Sequence, residues 1–248
     1  MLCTNAESND STIELLLNKA KAATITPDEV KELRAKSYVI QNYGQNLDEG
    51  THDYKGSLPF ISKAIDIFTS LHDTLNVANN LKFRGYLFGR LGDFAKAKND
   101  IHAAIDLFQS KNAAWGVAVS QFDLSRVYEF ENKPDSAIYY CNTPLAYWNS
   151  VKNNLRILGL QTMLTNLFTK LKEFDKARMH QQEAEKLATD PEVHWLNLLD
   201  FYYVSEQLFK RSGQPAIAAR YRDLYDSKRA ELNKNGGAAR SYYDNDSK

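Results

Sequence analysis

The sequence predicts an all-α chain in which pairs of antiparallel helices are repeated. Glycine and proline are scarce, at 11 and 6 of 248 residues, and one short segment recurs about every forty residues. All-β chains need glycine and proline at many turns, so their scarcity favours helices. With 43% hydrophobic residues, the chain also holds enough apolar material for a sizeable core.

The recurring segment is clearest at residues 91–97, which have the sequence LGDFAKA. Related segments lie at residues 51–57 (THDYKGS), 131–137 (ENKPDSA), 171–177 (LKEFDKA) and 212–218 (SGQPAIA). Self-similarity at a fixed period of this size indicates a repeat protein, in which each unit buries its apolar face only against neighbouring units. The sequence therefore predicts five repeat units.

Each unit is predicted to consist of a helix, a tight turn and a second helix. The last residue of every segment is small, and in four units an aromatic residue precedes it by nine positions: Phe88, Tyr128, Phe168 and Phe209. Small residues let two helices approach closely, and an aromatic ring fills the space beside them. Apolar residues in the second helices recur three and four positions apart, as at residues 61, 65 and 68, which is helical spacing.

Helix start signals mark the beginning of the first and of the last predicted repeat. Thr26 and Glu29 form a predicted capping box with Pro27 at the first helical position, and residues 189–192 (TDPE) carry the same signals before the last unit. An amphipathic helix upstream is expected to cover the exposed end of the array. The predicted segments are a flexible leader at 1–11, a capping helix at 12–24, repeats at about 28–70, 75–110, 113–150, 153–188 and 191–232, and a flexible tail at 233–248.

Pro144 falls inside the second helix of the third unit. Proline removes an amide donor and clashes with the preceding turn, so we predict a break or kink near residues 142–143. Two outcomes stay open: a shortened helix that restarts at Pro144, or a shaped pocket at a functional point.

The repeat resembles the tetratricopeptide repeat, whose first helix has the pattern Trp-x-x-Leu-Gly-x-x-Tyr. Leu81 stands in place of the Trp, Gly85 matches the Gly and Phe88 stands in place of the Tyr, and Ala97 and Ala104 follow in the second helix. The resemblance covers about residues 28–232, and the forty-residue period resembles that of variants in bacterial regulatory and sensor proteins. It implies an α-solenoid, a right-handed superhelix of antiparallel helix pairs with about five repeats and an N-terminal capping helix.

The resemblance also implies a concave groove lined by the first helices. Two columns of residues are expected to face it, and one of them is polar in all five units. The candidate groove residues are Asn42, Asn46, Lys82, Tyr86, Phe122, Arg126, Thr162, Asn166, Tyr203 and Gln207. Amides can bond a peptide backbone, cations can pair with carboxylates and rings can anchor apolar side chains. The same columns are also compatible with a solvated face that binds nothing.

Some tetratricopeptide proteins hold the C-terminal carboxylates of a peptide with a clamp of Lys, Asn, Asn, Lys and Arg. The best frame in this sequence supplies only Asn46 and Arg126 of that set. Binding of chaperone tails is therefore not expected.

Other classes of function find little support. Lys+Arg and Asp+Glu balance at 31 each, which argues against a nucleic-acid binder with a basic surface. Phosphate-loop, zinc-protease, paired-cysteine and serine-elbow motifs are absent and the five histidines are scattered, so no catalytic residue, cofactor or metal is expected. Cys3 and Cys141 do not indicate a disulfide framework.

The leading hypothesis is a non-enzymatic scaffold that binds a partner protein or peptide in the groove. The alternative is a sensory or regulatory input module of a bacterial signalling protein, and a remote alternative is an enzyme built on the helical array. No membrane span is expected, because no apolar run approaches the ~18 residues that one requires. A cytoplasmic location is expected for the chain as given, and a periplasmic one if a leader has been removed. The identity of the partner and assembly into a homo-oligomer stay open.

Overall fold

The protein is all-α over the residues that its computed structural model describes, which are 11–51, 53–189, 195–234 and 243, with the backbone alone at 47–51, 195 and 196. The helices are α1 (Ser11–Lys21), α2 (Pro27–Thr51), α3 (Tyr54–Ser70), α4 (Thr74–Arg90), α5 (Phe94–Ser110), α6 (Ala114–Phe130), α7 (Pro134–Ser150), α8 (Asn154–Lys170), α9 (Phe174–Leu187), α10 (Trp195–Arg211) and α11 (Pro215–Asn233). The chain divides into two compact units, unit 1 (Met1–Lys133) and unit 2 (Pro134–Lys248). Residues 1–10 of the expected leader, most of the expected tail, and the start signals at 190–192 lie outside the described residues, whereas Ser11 is the first residue of α1.

Helix and turn lengths are constant through most of the chain. Each helix from α3 to α8 has 17 residues, and three residues separate it from the next helix. The forty-residue period of the sequence therefore consists of two segments of equal length, each made of one helix and one turn.

Each of these turns places one residue in the left-handed region of φ: His72, Gly92, Asn112, Asn132, Lys152 and Lys172. The next amide donates to the carbonyl of an aromatic residue in the preceding helix, as in Asp93 N to Phe88 O (2.9 Å) and Glu173 N to Phe168 O (2.9 Å). This is the Schellman ending, which satisfies the last carbonyls of a helix. The aromatic residues in this position are Phe68, Phe88, Phe108, Tyr128, Trp148 and Phe168.

The residue after each turn starts the next helix, and in four cases its side chain caps that helix. Asp53, Asp73, Asp93 and Asn153 each accept a hydrogen bond from the amide three residues further on. Capping of this kind stabilises a helix by about 1 kcal/mol. The turns therefore end one helix and begin the next within three residues.

In unit 1, α1 covers the end of the helix pairs, as predicted for a capping helix. It contacts α2 and α3, and α2 to α6 then pack in chain order, with α4 also contacting α6. The apolar face of α1 is buried in a cluster made of Ile13, Leu16, Leu17, Leu33, Ile40, Phe60 and Ile67.

The capping box at the start of α2 is formed as predicted. Thr26 N donates to Glu29 Oε2 at 2.9 Å, and Glu29 N donates to Thr26 Oγ1 at 3.4 Å. Lys19 on α1 forms an ion pair with Glu29. The hydrogen bond from Lys19 and then the one from the Thr26 amide lower the pKa of Glu29 to about 2.

We expect the Glu29 carboxylate to stabilise the fold only when it is charged. Its pKa is lower in the folded chain than the ordinary value of 4.5, so its contribution is present above pH 4.5 and is lost as the pH falls from 4.5 through about 2. Unfolding by urea between pH 6 and pH 2 should show that Glu29→Gln is less stable than wild type at pH 6 and that most of this difference has disappeared at pH 2. Glu32→Gln, at an exposed position of the same helix, is the matched control. A constant difference between wild type and Glu29→Gln over this range would contradict the expectation.

The break predicted at Pro144 is wrong, whereas the alternative of a kink there stays a prediction. Helix α7 is continuous from Pro134 to Ser150 with Pro144 inside it, and the proline is buried. The remaining hydrogen bonds of the helix and its packing on α8 outweigh the loss of one amide donor. Helix α3 likewise contains Pro59 within its first two turns.

In unit 2, α8 contacts α7, α9 and α10, and α10 packs on α11. A buried hydrogen-bond chain joins α9 to α11, since Gln181 Nε2 donates to Tyr221 Oη at 2.8 Å and Tyr221 donates to Glu185 Oε1 at 2.7 Å. Cys141 is buried, and its Sγ lies 4.0 Å from Met163 Sδ of α8. Polar groups inside this unit are thus joined across helices.

Candidate functional site

Four of the predicted groove residues converge in unit 1. Lys82 and Tyr86 lie one turn apart on α4, and Phe122 and Arg126 lie one turn apart on α6; all four are half-buried. The Arg126 guanidinium lies over the Phe122 ring at 4.9 Å and over the Tyr86 ring at 5.8 Å. We call these four residues the unit 1 face.

Asp123 lies beneath the unit 1 face and was missed by the sequence reasoning. It is 8% exposed, and its carboxylate lies 3.2 Å from Lys82 Nζ and 4.0 Å from Arg126 Nη1. The spacing of three residues between Asp123 and Arg126 is a helical ion-pair spacing and could have indicated this contact. Asp123 therefore holds the two cations of the face from two different helices.

Rings and cations continue beyond the unit 1 face towards the end of α4. Tyr86 lies 6.2 Å from the Phe83 ring and 6.3 Å from the Phe130 ring. The Arg90 guanidinium lies between Phe130 (5.1 Å) and Tyr54 (4.9 Å) and donates to Tyr54 Oη at 2.8 Å. Cation–π contacts orient the guanidinium groups, because a cation is attracted to the face of a ring.

Asn42 and Asn46 are exposed and lie one turn apart on α2. Side-chain hydrogen bonds fix α2 against α4, because Asn80 Nδ2 donates to Gln41 Oε1 at 3.2 Å and Asn76 Nδ2 donates to Tyr38 Oη at 3.0 Å. The two exposed amides are therefore carried on a helix held in register with α4.

Unit 2 does not present its predicted residues in the same way. Thr162 and Asn166 are only 2% and 8% exposed, so the expectation that they form an open column is wrong. Tyr203 and Gln207 on α10 are half-buried, and the Tyr203 ring lies 6.0 Å from Tyr225. The physical reason is that α8 packs against α7, α9 and α10. Every residue of α8 from 157 to 169 except Gly159 is buried as a result.

The described residues contain no group of three or more His, Cys, Asp or Glu side chains that could hold a metal. His102 is exposed, whereas His180 is half-buried and stacks on Phe168 with its Nδ1 2.7 Å from Gln161 Oε1. Burial lowers the pKa of His180. This histidine therefore has a packing role in unit 2.

We expect Asp123→Asn to lower the free energy of unfolding by about 2 kcal/mol, since hydrogen bonds to charged groups typically contribute ~1.5–3 kcal/mol. The substitution leaves Lys82 and Arg126 without the carboxylate that both contact. Urea unfolding measures the loss, and Asp106→Asn, at an exposed position of α5, should change stability by less than about 0.5 kcal/mol. In a double-mutant cycle with Lys82→Met, a coupling energy near zero would contradict the pairing.

Comparison with known proteins shows the fold of the chain. No family model matches the chain, and no curated protein matches it. The crystal structure of BtubC (BKLC) from P. vanneervenii is similar over 93% of this chain and 93% of that one, with 17% identity and a TM-score of 0.68.

Two crystal structures of nearly identical TPR-like repeats from a putative kinesin light chain of Podosopora anserina are also similar, each at 12% identity. One, a single-substitution variant, covers 83% of this chain and 98% of that one with a TM-score of 0.60, and the other covers 82% and 97% with a TM-score of 0.59. The chain has the tetratricopeptide-like α-solenoid fold. This confirms the predicted fold class.

A fold of this kind does not by itself assign a function, which must be argued from the residues of a site. No helix in the described part of the chain is long and apolar enough to cross a membrane.

Proposed function

We propose that the protein is a non-enzymatic scaffold and that the unit 1 face binds an extended peptide of a partner protein. The observation that carries this proposal is the convergence of two cations and two aromatic rings from α4 and α6 on a half-exposed surface above Asp123. Rigid helices hold all of these groups, so little conformational entropy is lost when they bind.

Arg126 supports recognition of a carboxylate. Its guanidinium is planar, carries five N–H donors and can bind a carboxylate through two parallel hydrogen bonds. The ring of Phe122 at 4.9 Å and the carboxylate of Asp123 at 4.0 Å hold this group in one orientation. Lysine at this position would keep the charge but lose the fork geometry.

Tyr86 and Phe122 support recognition of an apolar side chain next to that carboxylate. Aromatic side chains contribute large contact areas with few rotatable bonds, which makes them frequent anchors in interfaces. The exposed amides of Asn42 and Asn46 on α2 can donate to and accept from a peptide backbone. The favoured ligand is therefore an extended segment with an acidic residue beside an apolar one.

Defined peptide pools test the proposal directly. Labelled twelve-residue peptides rich in acidic and aromatic residues, peptides with basic residues in place of the acidic ones, and neutral peptides are titrated with the protein and followed by fluorescence anisotropy. We expect the acidic pool to bind most tightly and to weaken as salt is raised. The double variant Arg126→Ala, Tyr86→Ala should bind at least about tenfold more weakly, since anchor residues typically cost more than 1 kcal/mol when truncated.

Lys55→Ala, which removes an exposed cation on α3, is the charge-matched control and should bind as wild type does. Circular dichroism establishes that the double variant is folded. The proposal fails if no pool binds, or if the double variant and the control bind equally well.

A further inference from the structure

Unit 2 contains a cleft that the function proposed above does not use. Its volume is about 360 Å³, within the range of ~300–1,000 Å³ that is typical of small-molecule sites. The first half of α8, the second half of α9, the end of α7 and the turn that follows α7 form its walls. All of these elements belong to unit 2. We call this feature the unit 2 cleft.

Gln161 lines the unit 2 cleft and presents a hydrogen-bond donor to it. This residue is only 8% exposed, and its Oε1 lies 2.7 Å from His180 Nδ1. Because a carbonyl oxygen only accepts, this contact holds the oxygen end of the amide on His180 and leaves Nε2 for the cleft. Nε2 makes no hydrogen bond with any described residue. The cleft therefore contains a nearly buried donor that a ligand can satisfy.

The repeat itself does not require the polar groups of the cleft. Eighty residues earlier, the position of Gln161 is occupied by Leu81, which packs against two apolar clusters of unit 1. The position of Lys186, which also lines the cleft, is occupied there by Asp106, with the opposite charge. A buried amide with one unbonded end is less favourable than a packed leucine. Recognition of a ligand therefore explains these side chains better than packing does.

The charges around the unit 2 cleft suit an anion. Lys152 lines it, is exposed and forms no ion pair with any described residue. Lys186 adds a second ammonium group, which lies 2.6 Å from the Glu183 carboxylate. Helix α8 begins at Asn154, which also lines the cleft, and the N-terminus of a helix carries a partial positive charge. Two ammonium groups against one carboxylate leave the cleft with a net positive charge.

Apolar side chains determine what the rest of the ligand must be. Ile157 of α8 and Leu187 of α9 line the cleft beside the polar groups. A carboxylate can accept from an amide donor and pair with an ammonium group, while an aliphatic group next to it is removed from water by the isoleucine and the leucine. The ligand that satisfies both kinds of surface is an acid with a compact apolar part.

We propose that the unit 2 cleft is a binding site for a carboxylate attached to a compact aliphatic group. Gln161 and Lys152 hold the carboxylate, and Ile157 and Leu187 contact the aliphatic group. The site lies wholly within unit 2 and does not depend on the peptide binding proposed for the unit 1 face.

Methyl NMR of the full chain, labelled at isoleucine and leucine, tests the proposal with N-acetyl-leucine as the probe. N-acetyl-leucine amide has nearly the same shape without the charge and is the matched control ligand. We expect N-acetyl-leucine to shift the methyl signals of Ile157 and Leu187 and to leave that of Ile101, which is buried in unit 1, unchanged. It should bind at least about tenfold more tightly than the amide, because hydrogen bonds to charged groups are strong.

Two substitutions identify the groups that hold the carboxylate. Gln161→Leu removes the donor and should fold, since leucine occupies the equivalent position 81; it should weaken N-acetyl-leucine about tenfold and change binding of the amide less than about threefold. Lys152→Gln should weaken N-acetyl-leucine at least about threefold. Lys172→Gln is its matched control and should bind as wild type does, because Lys172 is exposed and has the same left-handed backbone conformation, with φ of 61° against 54° at Lys152.

A pentapeptide that ends in leucine carries the same two groups at a chain terminus. Tighter binding of this peptide than of N-acetyl-leucine would identify the C-terminus of a protein as the ligand, and equal or weaker binding would identify a free acid; both results support the site. The proposal is overturned if N-acetyl-leucine shifts neither methyl signal, if the acid and the amide bind equally well, or if Lys172→Gln weakens binding as much as Lys152→Gln does. Circular dichroism establishes that each variant is folded.

Discussion

Phe108→Ala is expected to lower the free energy of unfolding by about 4 kcal/mol, near the upper end of the ~3–5 kcal/mol typical for removal of a buried aromatic ring. Phe108 is fully buried in a cluster with Ala78, Ala104 and Ala113. A β-carbon built on Gly116 would lie only 2.2 Å from Phe108 Cδ1, so the ring rests directly on the backbone of α6.

The small size of these neighbours makes the loss large. Alanine and glycine have no side-chain rotamers with which to fill a cavity, so these neighbours cannot occupy the space left by the ring. Phe108 also lies 5.2 Å from the Trp115 ring, and its carbonyl accepts the Schellman hydrogen bond from Ala113 N at 2.9 Å. Removal of the ring therefore weakens the packing of α5 on α6 beside that turn.

Urea unfolding followed by circular dichroism measures this effect. Gln109→Ala, at the exposed neighbouring position, should change the free energy of unfolding by less than about 0.5 kcal/mol. Phe108→Leu should recover about half of the loss because it refills part of the volume. A loss below about 1 kcal/mol for Phe108→Ala would show that this cluster is not a tightly packed core.

The fold could be predicted because its period is carried by residues with one physical role each. Two recurring positions show this. The small residues, such as Ala97 and Ala177, are fully buried, and the aromatic residues at 88, 128 and 168 lie beside the turns between helices. The structure adds that, from α3 to α8, the turn is repeated after each helix rather than after each pair. The sequence contains this shorter repeat as well, because Phe68, Phe108 and Trp148 occupy the same Schellman position as the predicted aromatic column.

The candidate site was predictable only in part, because it depends on the register between helices. Spacing along one helix brings Phe122 and Arg126 together, but only the packing of α4 on α6 brings Lys82 to Asp123. Residues at equivalent positions of different repeats also do not have the same surroundings. Asn42 is exposed and Thr162 is buried, because burial is set by what packs on a helix and not by the position within the repeat.

Replacement of glycine by alanine is expected to have opposite effects at Gly85 and Gly159, because only Gly85 lies where two helices, α4 and α5, approach closely. Gly85→Ala is expected to lower the free energy of unfolding by about 2 kcal/mol, within the range typical of overpacking. A β-carbon there would lie 2.6 Å from Ile101 Cγ1 and 2.8 Å from the Ala97 carbonyl oxygen. Because the second contact is with backbone, the two helices must separate to admit the methyl group.

Gly159→Ala is expected to raise the free energy of unfolding by about 0.5–1 kcal/mol, because alanine loses less backbone entropy than glycine in a helix. The nearest atom to a β-carbon at this position is Asn197 Nδ2 at 3.4 Å, an ordinary contact distance. Both glycines lie inside 17-residue helices, so the same gain in helix propensity applies to each and cancels in the comparison. The expected difference of about 3 kcal/mol between the two variants, measured by urea unfolding, therefore reports the close contact at Gly85. If Gly85→Ala were also stabilising, α4 and α5 would not approach each other closely at this position.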